Sequence, residues 1–345
     1  MRAPHRVLAL GLALSAPTGA ALAQPSEAEF FRGKTISLGV PSSVGGGYDT
    51  YARLIAHHLP KHISGNPAVV TRNLPAAGGL VLANALYNSS PRDGTAIAIV
   101  RASGLYEELF GNPAVKFSSL KFNWIGNLNS THDTCVFARA AGIRTPKDLY
   151  ARTTLIGASG VGAMAYSLPT IYNDVLGMKF KVIMGYPGTP ERVIAMERGE
   201  IEGACGMTTS LIKSSLAAPF REGKLTLVMQ AGLTKDAEFA NVPNVLDEAK
   251  TPEQRSALEF LFGQLELDRA LAAPPDLPAE RLATLRAAFD AMTGDGEFLD
   301  EVRALKLDVR PLKGEETTAV IRRLFATPRL AIERVRAALT GKSEP

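Results

Sequence analysis

Several things are scarce in this sequence, and each scarcity closes a door. There is 1 tryptophan, with 2 cysteines and 5 histidines in 345 residues. Neither Cys135 nor Cys205 has a neighbouring His or Cys at metal spacing, so no metal ligand set and no cofactor is expected. His58 and His62 stand four apart, but Pro60 lies between them and no Glu is placed as a base; a solvated helix end is the expectation. His132 beside Asp133 reads as a lone pair in a hinge. No basic stretch is interleaved with aromatics, and no nucleic-acid partner is expected. Beyond the first residues no apolar run reaches the ~20 residues of a membrane span.

Catalytic signatures are missing too. The loop at Gly45–Asp49 lacks the Gly-Lys-Ser/Thr ending of a phosphate loop, and Ser159 lacks the flanks of a nucleophile elbow. Gly160-Val161-Gly162-Ala163-Met164-Ala165 fits a dinucleotide pattern. However, the next strand ends in Val182-Ile183-Met184-Gly185, with no acid to take a ribose. An enzyme is not expected.

What is present begins with an address. Arg2 and Arg6 precede the apolar run Val7–Leu14, and Ala21-Leu22-Ala23 forms a cleavage site before Gln24. This predicts a secretory signal peptide over 1–23. Its loss takes the formal charge from +4 to +2, because it carries those two arginines and no acid. In an oxidising compartment Cys135 and Cys205 can bridge, or remain buried thiols.

The rest alternates strand-like and helix-like segments. Strands are predicted at 36–40, 69–71, 96–100, 135–138, 154–157, 181–183, 201–205 and 225–230, with helical spacing between many of them. Thr189-Pro190-Glu191 reads as a helix start with Thr189 as the capping hydroxyl. Two βα sets joined by extended segments near 125–135 and 222–232 predict an α/β fold of two lobes with a double-crossover hinge. Each lobe is expected to hold a mostly parallel sheet flanked by helices. The expected division places 24–128 and 228–345 in lobe 1 and 129–227 in lobe 2. A monomer is expected.

Three glycine-rich turns follow strands and precede helices. The first, Pro41 to Asp49, includes Ser42, Ser43, Gly45, Gly46 and Gly47. A helix start has amide donors without intrahelical partners, so an anion can be bound there by main chain alone. Asp49 is placed to cap that helix and to pair with Arg53 four residues on. The second turn carries Ala76, Ala77 and Gly78, and the third carries Ser159, Gly160, Gly162 and Ala163. Ligands in open α/β sheets sit beyond the carboxyl ends of the strands, where all three turns fall. Arg101 and Ser103 follow a strand on the same rim, and Thr208 and Ser210 are further candidates for the ligand's far end. An outward surface role for Arg101 stays open.

At these loops the sequence resembles the periplasmic receptors of tripartite tricarboxylate transporters, the Bug/TctC family. The family's V-P-x-x-x-G-G-G-x-D-x-x-A-R corresponds to Val40, Pro41, Gly45, Gly46, Gly47, Asp49, Ala52 and Arg53. Its N-x-P-G-A-G-G corresponds to Asn73, Pro75, Ala76, Ala77, Gly78 and Gly79, and its D-G-T turn to Asp93-Gly94-Thr95. Gly157, Gly160 and Gly162, then Tyr186-Pro187-Gly188, continue the match in order. The resemblance implies a type II periplasmic-binding fold that closes like a flytrap on a small carboxylate. It also implies a membrane permease of one large and one small subunit as partner. A signalling receptor presenting its ligand to a membrane sensor is the alternative use of the same fold. The departures fall at the ligand loops: Ser42 stands where an aromatic is usual, and Tyr48 where a small hydroxyl residue is usual.

Overall fold

The computed structural model describes residues 27–160, 163–186 and 188–340. The expected signal segment and Gly162 lie outside the described residues. Eleven strands run in chain order among those residues. They are β1 Thr35–Val40, β2 Ala68–Asn73, β3 Ala96–Val100, β4 Asn123–Asn127, β5 Asp133–Ala138 and β6 Thr154–Ala158. Then come β7 Phe180–Met184, β8 Gly203–Thr208, β9 Leu225–Ala231, β10 Ala270–Ala273 and β11 Leu312–Lys313.

They form two sheets, one per lobe. The first has six strands in the order β11-β4-β10-β3-β1-β2, the second five in the order β7-β6-β8-β5-β9. The two-lobed α/β fold holds, but the sheets are mixed where mostly parallel ones were expected. β1 pairs parallel with β2 and β3, and β6 pairs parallel with β7 and β8. β10 returns from the second lobe and inserts antiparallel between β3 and β4, and β5 runs antiparallel between β8 and β9. A strand that enters from the other lobe starts at the cleft rim, where the parallel strands end, so it must run against them.

The expected boundary at 227/228 falls inside β9, which pairs with β5 along its length to Ala231. The return to the first sheet therefore comes later. It passes through the helix Pro252–Gly263, whose Thr251 and Gln254 form a reciprocal cap. This helix buries Leu258, Phe260, Leu261 and Phe262 in a core that also holds Val100 and Trp124 of one lobe and Phe137 and Tyr172 of the other. Each such side chain removed from water contributes about 1.5–3 kcal/mol. A second core, with Leu38, Ile55, Ile97, Leu271, Phe289 and Phe298, covers the other face of the first sheet.

Local starts and stops follow the sequence closely, with one difference. The helix Thr189–Glu197 has Gly188 as its N-cap, so Thr189 is already its first residue; the Thr189 hydroxyl accepts from Arg192 instead. Pro169 lies inside the helix Met164–Ile171, which widens at once into a π turn over Tyr172–Leu176.

Cys135 and Cys205 are joined by a disulfide. They sit on neighbouring strands β5 and β8, where the register slips between Thr134 and Val136. The bulge has a steric reason at Gly206. Its φ is +69°, and a Cβ there would come within 2.5 Å of the Ala165 amide at the start of the helix Met164–Ile171. The bulge lets that helix end come down onto the strand.

Candidate functional site between the lobes

The carboxyl ends of β1, β2 and β3 place residues 41–49, 74–79 and 101–103 on one rim. The ends of β6, β7 and β8 place residues 159, 160, 163, 185, 186, 188 and 208–210 on the rim of the other lobe. Register fixes the floor between them. Asp133, the first residue of β5, lies opposite Thr208 at the end of β8. Ala270, the first of β10, lies opposite Val100 and Asn127, so Asp268 and Arg269 sit where the first rim ends. The hinge segments are tied there: Asn129 donates to Asp268 at 3.2 Å, and the Arg269 amide donates to Asn127 at 3.0 Å.

Asp49 organises the first loop. Its buried carboxylate accepts from the Gly45 amide at 2.8 Å, from Arg53 at 2.8 Å and from Asn73 of the neighbouring strand at 2.9 Å. The Arg53 bond, aided by the other two, holds its pKa down at about 2. With three hydrogen bonds accepted and its side chain 2% exposed, Asp49 fixes the loop. The bare amides also differ from the expectation. Gly45 donates to Asp49 and Gly46 donates to the Ser43 carbonyl. The helix starts at Gly47, with Gly46 as an N-cap that makes no side-chain cap bond. Among the described residues the amides of Gly47, Tyr48 and Asp49 make no hydrogen bond. The donor set moves by two residues, toward the helix end that carries the dipole.

The second loop adds to it. Ala77, Gly78 and Gly79 all have positive φ, at +47°, +64° and +97°. For Ala77 this is an uncommon and costly conformation. Gly79 lets the chain pass close: a Cβ there would meet Arg101 Cδ at 3.1 Å and Pro41 at 3.2 Å. Arg101 therefore does not point outward. Its guanidinium lies 5.0 Å from the Tyr48 ring centre, and that of Arg269 lies 4.1 Å from the same ring. Tyr48, one of the departures from the family pattern, is held between the two arginines. Burial pushes its pKa up against the opposing pull of Arg269 and Arg101. Arg269 is paired with Asp268. Arg101 has no ion-pair partner among the described residues, and its Nε is buried without a hydrogen bond. Ser42, Ser43 and Ser103 stand on the same rim, Ser43 and Ser103 exposed.

On the second rim Gly160 faces open space, while the Ala163 amide turns back to the Gly160 carbonyl at 3.3 Å, so Ala163 offers no bare donor. Ser159 lies at the same turn. Thr208 caps the short helix Thr209–Lys213 and lies 3.3 Å from the Ser210 hydroxyl. Below them Arg192 is buried, donating to the Cys205 carbonyl at 2.9 Å and to Gly188 at 3.3 Å. Asp133 is 3% exposed. Burial, reinforced by Asp268 and opposed by Arg192, pushes its pKa up to about 7. Among the described residues no hydrogen bond or ion pair links the first glycine loop to the third.

Asp133, Arg192, Asp268 and Arg269 were not singled out from the sequence as site residues. The short run Ala270–Ala273 gives no alternation to mark a strand, so Asp268-Arg269 had no visible rim to belong to. His132, read together with Asp133, instead faces Arg310 at 3.0 Å and Asp236 at 3.8 Å.

Two rims of strand ends with donors above a polar hinge give a two-lobed α/β fold with a candidate site between the lobes. No family model matches the chain. It is 26% identical over 281 residues to a UPF0065 protein from the TAR-I ttuE-ttuC′ intergenic region of Agrobacterium vitis, covering 78% of this chain and 74% of that one. Its fold matches a TctC solute binding protein from Polaromonas with a TM-score of 0.70 at 20% identity, over 87% of this chain and 98% of that one. It also matches Rpa4515 of Rhodopseudomonas palustris with adipate (TM-score 0.59, 16% identity, 89% and 97% covered). MatC of the same organism, with bound malate, gives a TM-score of 0.56 at 17% identity, with 89% and 99% covered. In sequence and fold together the chain resembles the Bug/TctC solute-binding proteins, the family its glycine loops pointed to. Of these neighbours, the Polaromonas protein is described as a solute binding protein, and the other two structures hold adipate and malate.

Proposed function

We propose that this protein is a periplasmic receptor that captures a small organic carboxylate between its lobes. It then delivers the ligand to a tripartite tricarboxylate-type permease with a large and a small membrane subunit. The observation that carries the reading is Arg101: a guanidinium over the Tyr48 ring, without an acidic partner among the described residues, on the same rim as the unbonded amides of Gly47, Tyr48 and Asp49. A carboxylate placed there meets a full charge on one side and a helix dipole on the other, both acting as charge-assisted donors. The second lobe closes over it with Ser159, Gly160, Thr208 and Ser210. Contacts from both sides exist only in the closed form, so the ligand itself favours closure.

Short dicarboxylates are the class favoured, since malate and adipate occupy two neighbours of this fold. Export fits the signal-like segment at 1–23, and among the described residues no helix is long and apolar enough to cross a membrane. Titration calorimetry with malate, succinate, adipate and citrate tests the proposal. Micromolar or tighter binding of at least one, weakened about 30-fold in Arg101→Ala, is expected. A folded protein that binds none of them would overturn it.

A further inference from the structure

The helix that opens the cleft at Gly47 ends at His58, about 17 Å away along its axis. At that far end, His57 and His58 meet Glu301 of the helix Gly296–Ala304. His57 Nδ1 and His58 Nε2 each lie 2.8 Å from the same oxygen, Glu301 Oε2, and the three atoms lie within 4.8 Å of one another. From this geometry we propose a binding site for a first-row divalent transition ion, of which Zn²⁺ is the type, that staples these two helices together.

The donor set is two imidazoles and a carboxylate, a combination suited to Zn²⁺ and its neighbours and not to Mg²⁺ or Ca²⁺. Two imidazole edges converging on one oxygen place three ligand atoms around a single point. An ion there needs bonds of about 2.0–2.2 Å, so the three side chains would draw in around it, with the exposed His57 the freest to move. The site is anchored on one side and open on the other. The His58 side chain is 2% exposed and packs edge-on against Phe298, with ring centres 5.5 Å apart, so its Nε2 is held in place. His57 and Glu301 are 61% and 35% exposed, leaving room for water to complete the shell. The pair at zinc spacing in the sequence, His58 with His62, was read as a solvated helix end, whereas His58 is buried. His62 instead turns to Asp295 at 3.4 Å, and Lys61 pairs with Glu297 at 2.7 Å, so neither neighbour contests the central carboxylate. The proposal does not depend on what the cleft binds.

Untagged protein dialysed against a chelator tests it. Calorimetry with Zn²⁺ is expected to show one site per chain with micromolar or tighter affinity, and 100 µM Zn²⁺ to raise the thermal midpoint by several degrees. Co²⁺ should give the visible absorption of a nitrogen- and oxygen-ligated ion. His57→Ala and Glu301→Gln, both at partly exposed positions, should each weaken binding at least tenfold and remove the midpoint shift. The buried His58 is left intact so that folding is not disturbed. Equal metal response in His57→Ala, Glu301→Gln and the parent protein, or no response in the parent, overturns the site.

Discussion

The two walls of the cleft use the same unit, a strand, a glycine-rich turn and a helix, yet they are held by different means. In the first lobe the turn is fixed by ionic and polar bonds around Asp49 and faced by two arginines across Tyr48. In the second lobe the rim is fixed from beneath, by the Cys135–Cys205 disulfide and by Arg192, whose charge is turned inward to main-chain carbonyls. The first wall thus offers an uncompensated cation; the second offers hydroxyls and an acid that holds its proton. The difference suggests a division of labour in which the first lobe attracts and seats the anion and the second closes on it.

The comparison can be broken at either wall. The largest effect is expected in the second. Replacing both cysteines by alanine opens a loop spanning 70 residues and should cost about 4 kcal/mol of stability, read by urea unfolding. An unchanged midpoint would mean that the bridge is not what holds that rim. In the first lobe, Asp49→Ala leaves the Gly45 amide without its acceptor and the Asn73 side chain with only the Ser42 carbonyl. Because Arg53 is half exposed and loses little, the cost should be about 3 kcal/mol, with weaker ligand binding alongside. Arg101→Ala should leave stability nearly unchanged and weaken carboxylate binding by about 30-fold, with partial recovery in Arg101→Lys. Loss of stability without loss of affinity would make Arg101 a packing residue.

The smallest effect on binding concerns Asp133. The folded protein keeps its proton up to about pH 7, whereas the free carboxyl loses it near 3.8. The unfolded chain therefore binds fewer protons between those values, and stability falls as pH rises across them, then levels off. Over the upper part of the range the new negative charge, flanked by Asp268 and Arg192, should weaken anion binding by roughly fivefold, about 1 kcal/mol. Asp133→Asn should abolish both dependences; a slope that survives in this variant would place the titration elsewhere.

Much of the framework was legible in the sequence because it is local. Gly45 to Asp49 and Asp93-Gly94-Thr95 are read from residues adjacent in the chain, and the strand at 96–100 was placed to the residue. The direction of the sheets was not legible. In the first sheet it depends on β10, a four-residue run of alanine and leucine that carries no strand signature and gains its place from neighbours about 150 residues away. The identity of the free amides escaped for a related reason. Gly45 and Gly46 look bare until Asp49 and Ser43 are seen to accept from them.

The order of residues alone determined the βα alternation, the glycine turns and the likeness to a carboxylate-receptor family, since these rest on patterns within a few turns of chain. Only the tertiary structure decided that Arg101 faces inward, that Asp133 meets Asp268 and Arg192, that Cys135 reaches Cys205, and that Glu301 draws His57 and His58 together. Each of those is a meeting of distant segments, and burial and charge act through distance in space, which sequence spacing does not encode.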